Sequence, residues 1–486
     1  MKTANKIYSK YKSAHVSIKA SFWFFVCSFL QKAISAITTP IFTRLLSTYE
    51  YGKYNVFNSW MNILFVVFTL NACRGIYTQG LIKFEDKQKI FSSSLQGLTF
   101  VLIIVWGIIY TITCDKWTSI IGLDKISIYI MIVTIWLNAV FTFWATEQRV
   151  LLKYRHLVII SIGISVLKPL LSIILILNLD NKVHAYLFGN LIADTIIFLP
   201  LFFKQIYAGK VIYNNGFWVY AIKLCIPLLP HYLSQTILNG ADKIMIERLV
   251  GLQEAGIYSL AYSVSLLMTM VNTALHQTIN PWIYRKIKNH EERKIASIAE
   301  PTLLVIAFAN LFLILVAPEV VYVFAPKEYM DAIWVIPPVS MSVLFMFAYS
   351  LFADFEFYYE KTVFISVATI LSSVLNILFN YIFIPIFGYY AAGYTTLFCY
   401  ILYTVGHYCF MRFICRIQGI ENVYNTKLLM FGSLVFIATG ILISFTYTNK
   451  LLRLIIAMLI MVVIIGYRKR IRHFLRETFE RVKNEN

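Results

Sequence analysis

The stretch RLLSTYEYGKY, residues 44–54, occurs a second time as RLVGLQEAGIY, residues 248–258. Arg, Leu, Glu, Gly and Tyr recur in it with one constant offset of 204 positions. Each copy follows one apolar run and precedes another. A repeat of this length indicates two duplicated helical bundles, and the apolar runs predict that both lie in a lipid bilayer. We expect both copies to form the same turn, in which Gly52 and Gly256 allow the bend.

The composition excludes an ordinary soluble protein. The chain is 59% hydrophobic and 14% charged, with a mean hydropathy of +0.70, whereas soluble domains are about 45–50% apolar and about 25% charged. Runs of roughly 20 apolar residues, the length of one transmembrane helix, follow one another along the chain. The sequence therefore predicts an all-α polytopic membrane protein.

The predicted architecture has fourteen transmembrane spans. They are residues 20–43, 55–78, 92–114, 126–147, 157–178, 184–203, 217–240, 256–280, 299–324, 332–356, 362–386, 389–411, 428–447 and 451–467. The repeat superimposes the first two spans on the seventh and eighth. This predicts two pseudo-symmetric six-helix lobes around a central cleft, residues 1–210 and 211–415, followed by two helices and a basic cytoplasmic tail in residues 416–486. Parallel lobes that rock about a cleft are typical of transporters.

Lysines and arginines set the predicted orientation. With the N-terminus inside, and with residues at span ends counted with the adjacent loops, 30 of the 43 fall on the inner side, 10 on the outer side and three deeper within spans. The positive-inside rule therefore places both termini in the cytoplasm. The N-terminal lysines precede the first span without a small-residue cleavage site, so we interpret them as a leader rather than a removed signal peptide.

Several function classes are disfavoured by the residues. The net charge of +19 is explained by inner loops, so no nucleic-acid partner is expected. The cysteines and histidines show no metal-ligand spacing, and no metal site is predicted. No Walker loop, nucleophile elbow or HExxH motif is present, so the chain is not expected to be an enzyme or to carry a cofactor.

Three positive charges mark the first lobe at three depths. Lys32 falls near mid-membrane, Arg44 at the outer end of the first span and Arg74 toward the inner end of the second. An intramembrane charge is costly and faces a cavity or a partner. Arginines at span ends also snorkel to headgroups, but their guanidinium forks hold phosphate oxygens well. Lys32, Arg44 and Arg74 are therefore the predicted ligands of a pyrophosphate-bearing substrate.

Each of the remaining intramembrane charged residues has two interpretations, one structural and one functional. Lys168 and Asp194 form either a structural pair or a coupling site. Glu147, Asp242, Asp354 and Glu356 either bind a coupling H⁺ or Na⁺ and gate transport, or pair with nearby charges. For Asp242 those neighbours are Lys243, Glu247 and Arg248, and for the acidic end of span ten the neighbour is Lys361.

Two prolines interrupt the seventh span. Pro227 and Pro230 remove amide donors, so we expect a kink near mid-membrane. The kink either packs as ordinary structure or acts as a hinge beside a transport cavity.

The sequence resembles the polysaccharide-type (Wzx-like) flippases of the multidrug/oligosaccharidyl-lipid/polysaccharide (MOP) exporter superfamily, along essentially its whole length. The residues that carry the resemblance are PIFTRLLS at 40–47 with EYGKY at 50–54, IPLLP at 226–230, DKI at 242–244, GIYS at 256–259, residues 376–388 and AAGYTT at 391–396.

The resemblance implies a flippase that moves undecaprenyl-diphosphate-linked oligosaccharides to the outer face of the bacterial plasma membrane. In relatives that flip the peptidoglycan precursor, arginines of the first two helices contact the diphosphate, and Arg44 and Arg74 resemble them. An arginine expected in the eighth helix is absent, and only His276 stands there, which favours an O-antigen or capsule repeat unit. Membrane lipids and other polysaccharide-assembly proteins are the further expected partners. The alternatives are a cation-coupled multidrug exporter that uses carboxylates such as Asp194, and a membrane glycan polymerase or ligase.

Overall fold

A computed structural model describes residues 16–421, 423–456 and 458, and these are almost entirely helical. The first helices are α1 Val16–Leu45, α2 Thr48–Thr69, α3 Gly75–Lys83, α4 Gln88–Ile112, α5 Cys114–Ile121, α6 Lys125–Val150, α7 Tyr154–Asn178 and α8 Lys182–Gly209. The later helices are α9 Asn215–Leu249, α10 Leu252–Lys288, α11 Ala296–Leu315, α12 Ala317–Phe324, α13 Ile336–Tyr358, α14 Thr362–Phe387, α15 Tyr390–Ile417 and α16 Thr426–Ser444.

Eleven of the described helical segments are long and apolar enough to cross a membrane. α2 and α9 are 22 and 35 residues long but carry more polar side chains. Thirteen of the fourteen predicted spans thus contain a helix of bilayer length. The fourteenth begins with helical residues 450–456, and its remainder, the basic tail and the leader up to residue 15 lie outside the described residues. The predicted all-α polytopic fold is confirmed.

Three predicted spans differ in detail from the helices. The second span is broken at residues 70–74, between α2 and α3. The ninth is divided at Val316 between α11 and α12. The tenth begins four residues late, at Ile336, because residues 327–334 form a 3₁₀ helix.

The chain divides into two compact units between Ile237 and Leu238, inside the continuous helix α9. The first half of α9 belongs to the first unit because Phe217, Ala221 and Cys225 are buried in its hydrophobic core. The predicted boundary at residues 210 and 211 precedes this helix, and the division into three segments stays a prediction.

The repeated motif forms the turn between two helices in each unit. In the first copy, Ser47 Oγ accepts from the Glu50 amide at 3.2 Å and Glu50 Oε2 accepts from the Ser47 amide at 2.8 Å. This capping box satisfies two amides at the start of α2. The second copy has Gly251 at the matching position and no side-chain cap. Gly52 and Gly256 lie within α2 and α10, so their predicted role in the bend is wrong.

A carboxylate joins the starts of three helices in the first unit. Asp124 caps α6 and accepts from Ser127, and it also contacts Lys53 of the motif at 3.2 Å and His184 of α8 at 2.7 Å. Partial burial raises the pKa of Asp124, but the hydrogen bonds from Ser127, His184 and Lys53 outweigh it, and the net pKa is lowered. Asp124 therefore stays ionised and holds this end of the bundle together.

Candidate functional site

Lys32 lies on α1, thirteen residues before its end at Leu45, or about 20 Å along the axis at 1.5 Å per residue. Its side chain is exposed, and none of the described residues forms a hydrogen bond or ion pair with it. The adjacent Gln31, in contrast, donates to the Ser161 carbonyl of α7 at 3.4 Å. An unpaired ammonium at such depth is stable only where water or an anion can reach it.

Arg44 and Arg74 differ in their surroundings. Arg44, in the last turn of α1, donates to the Pro40 carbonyl at 2.8 Å and so partly satisfies its own helix end. Arg74 is exposed and lies 5.5 Å from the ring of Phe65, and it has no carboxylate partner among the described residues. Of the two arginines, Arg74 has the guanidinium that is more available to a ligand.

The break between α2 and α3 places Arg74 at a helix start. Leu70 and Asn71 both have φ of 52°, a left-handed backbone that ends α2 without any proline. Asn71 is only 2% exposed, and neither polar atom of its side chain has a partner. At the start of α3 the amides of Tyr77 and Thr78 donate to the Arg74 carbonyl, whereas the amides of Gly75 and Ile76 have no acceptor among the described residues, and no side chain caps them.

These features make the break an anion-binding arrangement. Free amides at a helix N-terminus, a positive end of the helix dipole and an exposed guanidinium favour a phosphate oxygen. The side-chain amide of Asn71, at the same break, is buried and has no hydrogen-bond partner. Sequence patterns predicted Arg74 but not the break, because residues 70–74 lie inside the predicted second span and contain neither proline nor glycine.

Lys168 of α7 and Asp194 of α8 lie 2.9 Å apart, with the Asp194 side chain fully buried. They form the ion pair that was one of the two predicted roles, and a coupling role stays a prediction. α7 packs along α8, so the pair crosses a contact between neighbouring helices. Removal of one partner would leave the other charge buried without compensation.

Asp242 is the centre of a buried polar cluster in the second unit. It is 2% exposed. Its oxygens accept from Tyr258 Oη at 2.7 Å, Asn380 Nδ2 at 2.7 Å and Thr396 Oγ1 at 2.8 Å. The predicted pairing of Asp242 with Lys243, Glu247 and Arg248 is wrong, because neutral donors from α10, α14 and α15 surround this carboxylate. Arg248 and Glu247 do pair with each other, at 3.9 Å.

The cluster extends beyond Asp242. Asn376 Nδ2 donates to Thr396 Oγ1 at 3.1 Å, and Asn380 Oδ1 accepts from Thr395. Tyr258 belongs to the second copy of the repeated motif, so this copy serves the cluster, whereas the corresponding Tyr54 packs on Tyr186 at 4.1 Å. Oxygen atoms of one carboxylate, two amides and hydroxyls are groups that can hold a proton or a small hard cation.

Asp354 and Glu356 of α13 each pair with a histidine. Asp354 contacts His276 Nε2 at 3.1 Å and accepts from Asn280 at 2.6 Å. Glu356 contacts His407 Nδ1 at 2.7 Å, and both of these side chains are fully buried. The predicted pairing with Lys361 is wrong, since the two carboxylates point into the bundle. His407 was not predicted, because its partner lies 51 positions away.

Three residues of the predicted functional site are still to be located: Glu147, Pro227 and Pro230. Glu147 Oε2 accepts from Gln205 Nε2 at 2.5 Å, and Gln205 Oε1 accepts from Gln96 at 2.7 Å. Pro227 and Pro230 are exposed and lie inside the continuous helix α9. A hinge there stays a prediction, as does a gating role for Glu147.

A family model described as "Polysaccharide biosynthesis protein" matches residues 17–287, more than half of the chain. The chain belongs to this family. The predicted resemblance to polysaccharide-type proteins is thereby confirmed at family level. No curated protein sequence matches the chain.

Solved structures show the fold of this member of the polysaccharide biosynthesis family. A structure described as "Lipid II flippase MurJ, inward closed conformation" is similar with a TM-score of 0.62 at 16% identity, over 89% of this chain and 99% of that one. An inward-facing multidrug resistance MATE family transporter of the MOP superfamily is similar with a TM-score of 0.59 at 13% identity, over 80% and 96%. A MOP superfamily transporter from Pyrococcus furiosus Vc1 has a TM-score of 0.51 at 14% identity, over 83% and 96%. The chain therefore has the MOP exporter fold and is a multi-pass membrane protein.

Proposed function

We propose that the protein is a flippase for undecaprenyl-diphosphate-linked oligosaccharides, which it moves from the cytoplasmic to the outer face of a bacterial plasma membrane. The observation that carries this proposal is the break in the second span, where Arg74 and the free amides of α3 form an anion-binding arrangement. The family assignment supports a substrate of polysaccharide biosynthesis. Both termini lie in the cytoplasm in this proposal.

The charges of the first unit suit a diphosphate. Lys32 and Arg74 are exposed and have no carboxylate partners among the described residues, and they lie at different depths of the bilayer. A sugar chain and a diphosphate cannot cross hydrocarbon without compensation, since each desolvated polar group costs kcal/mol and an ion costs far more. Cations spaced along the path lower this barrier, while the polyprenyl chain remains in lipid.

Export of cationic drugs is the weaker alternative. It would depend on an accessible carboxylate such as Asp194, but Lys168 neutralises this group at 2.9 Å. The exposed charges on α1 and at the break are positive, which would repel a cationic substrate. No observation on the described residues favours a polymerase or ligase.

The Asp242 cluster is the proposed coupling site, with H⁺ or Na⁺ as the driving ion. Asp242 accepts only from neutral groups in its hydrogen bonds, although Lys243 is adjacent in sequence. Lys243 acts on Asp242 through its charge but not within ion-pair distance. A buried carboxylate whose hydrogen-bond donors are all neutral gains free energy from a bound proton or cation. Ion binding there would change the packing of α9 against α10, α14 and α15.

A gene deletion tests the proposed substrate. We expect the deletion strain to lose a surface polysaccharide and to accumulate the lipid-linked repeat unit, and wild-type protein to restore both, but Arg74→Ala protein to restore neither at equal membrane abundance. An unchanged surface polysaccharide together with new sensitivity to cationic dyes would overturn the proposal in favour of drug export.

A further inference from the structure

A cavity of about 330 Å³ lies within the first unit, at the end of the helices that is predicted to face the cytoplasm. α4, α6, α7, α8 and the connection between α6 and α7 enclose it. Three lysines line this cavity, Lys89, Lys153 and Lys204, and its other polar lining includes Ser92, Glu147 and Gln205.

The three lysines come from separate segments of the chain. Lys89 is at the start of α4, Lys153 precedes α7 and Lys204 is near the end of α8. All three are exposed, and none forms an ion pair among the described residues. The positive-inside rule explains why each segment carries positive charge, but it does not require that these charges converge on one cavity.

The cavity keeps a net positive charge. Glu147 is its carboxylate, and Gln205 already donates to it at 2.5 Å. His156 also lines the cavity and adds charge only when it is protonated. Three ammonium groups that face one glutamate repel one another, and a bound anion with several acceptor oxygens would offset this repulsion.

The walls indicate that the anion belongs to a lipid. Trp144 and Leu201 give the cavity an apolar side. Beside the lining residues in sequence, α7 exposes Ile159 by 70% and α8 exposes Phe203 by 47% and Tyr207 by 75%, as expected of residues that contact acyl chains. A soluble anion would use the lysines only, whereas a phospholipid would use the lysines and this apolar surface together.

We propose that this cavity binds the phosphate headgroup of an anionic membrane phospholipid, with Lys89, Lys153 and Lys204 around the phosphate. The site is separate from the residues assigned to the transported diphosphate, and it does not depend on the proposed transport function. One wall is connected to the break in the second span, because Tyr77 of α3 shares a 2.6 Å hydrogen bond with Ser92.

The test uses the full-length protein, with phosphatidylglycerol, phosphatidylcholine and inorganic phosphate as probes. Lipid retained in native mass spectra and the rise of the melting temperature on lipid addition measure binding. Each lysine near a membrane surface contributes about fivefold to the affinity for an anionic lipid. We therefore expect the triple variant K89Q/K153Q/K204Q to bind phosphatidylglycerol on the order of a hundredfold more weakly. Phosphatidylcholine should bind weakly to both proteins.

A matched control removes three other exposed lysines from the same predicted face, Lys87, Lys210 and Lys223, none of which lines the cavity. The variant K87Q/K210Q/K223Q should keep wild-type preference for phosphatidylglycerol. An equal loss in both triple variants would overturn the proposal, because it would show general surface attraction. Binding of inorganic phosphate as strong as that of phosphatidylglycerol would overturn the assignment to a lipid.

Discussion

We predict opposite effects on stability when Lys32 and Lys168 are each replaced by methionine. Both are lysines on membrane-spanning helices, but Lys168 is paired with Asp194 at 2.9 Å and Lys32 has no partner among the described residues. A lysine at the centre of a membrane helix costs about 2.5–3.5 kcal/mol, less what snorkelling and water recover. Lys32→Met should therefore raise the free energy of unfolding by about 1–3 kcal/mol.

Lys168→Met should have the opposite effect. Asp194 is fully buried, so the loss of its partner leaves an uncompensated charge and costs about 3–5 kcal/mol. The double variant K168M/D194N removes both charges and should recover most of that loss.

Thermal and denaturant unfolding in nanodiscs measures these differences, and translocation of a diphosphate-linked glycan is measured on the same samples. We expect Lys32→Met to be more stable but inactive, since the cation is retained for the substrate at a cost in stability. The reasoning would be refuted if Lys32→Met destabilised the protein as strongly as Lys168→Met, because Lys32 would then have a structural partner.

Three further predictions concern the other charged groups. Arg74→Ala should weaken binding of a soluble short-chain prenyl diphosphate by about 10- to 150-fold, and Arg74→Lys by less, because a lysine keeps the charge without the bidentate fork. Calorimetry measures this, with Arg155→Ala as the control, since Arg155 is an exposed arginine in the first turn of α7, outside the break. Equal affinities of all variants would contradict the prediction. Asp242→Asn should keep the fold but abolish the dependence of transport on a H⁺ or Na⁺ gradient, and retained dependence would exclude this carboxylate as the coupling site. Asp124 has a lowered pKa in the folded protein. Its contribution to the free energy of unfolding is therefore complete above the unfolded pKa of about 3.9 and is lost as the pH falls through the lower folded pKa. Asp124→Asn should flatten the acid side of a curve of stability against pH, and an unchanged acid side would contradict this.

The sequence predicted the features that depend on local pattern. Apolar runs located the spans, and the repeat located the turns after α1 and α9, because hydropathy and a repeated motif are properties of neighbouring residues. The ion pair of Lys168 and Asp194 was also among the predicted alternatives, because two opposite charges at one depth of adjacent spans have few other partners.

Features that depend on helix rotation and on distant segments were not predicted. Span counting gives the depth of Asp242 but not the direction in which it points, so its partners Asn380 and Thr396, 138 and 154 positions away, could not be found. The break after Thr69 has no proline, and its signal is only the left-handed backbone of Leu70 and Asn71. Hydropathy averages over such a segment and predicts a continuous helix.

Translocation in a defined system tests the central claim most directly. Purified protein is reconstituted in liposomes that carry a fluorescent undecaprenyl-diphosphate oligosaccharide in one leaflet, and its arrival in the other leaflet is followed with a membrane-impermeant quencher. The account predicts translocation that Lys32→Met and Arg74→Ala abolish and Arg155→Ala preserves. Equal translocation by all four proteins, or none by the wild type under H⁺ and Na⁺ gradients, would contradict it.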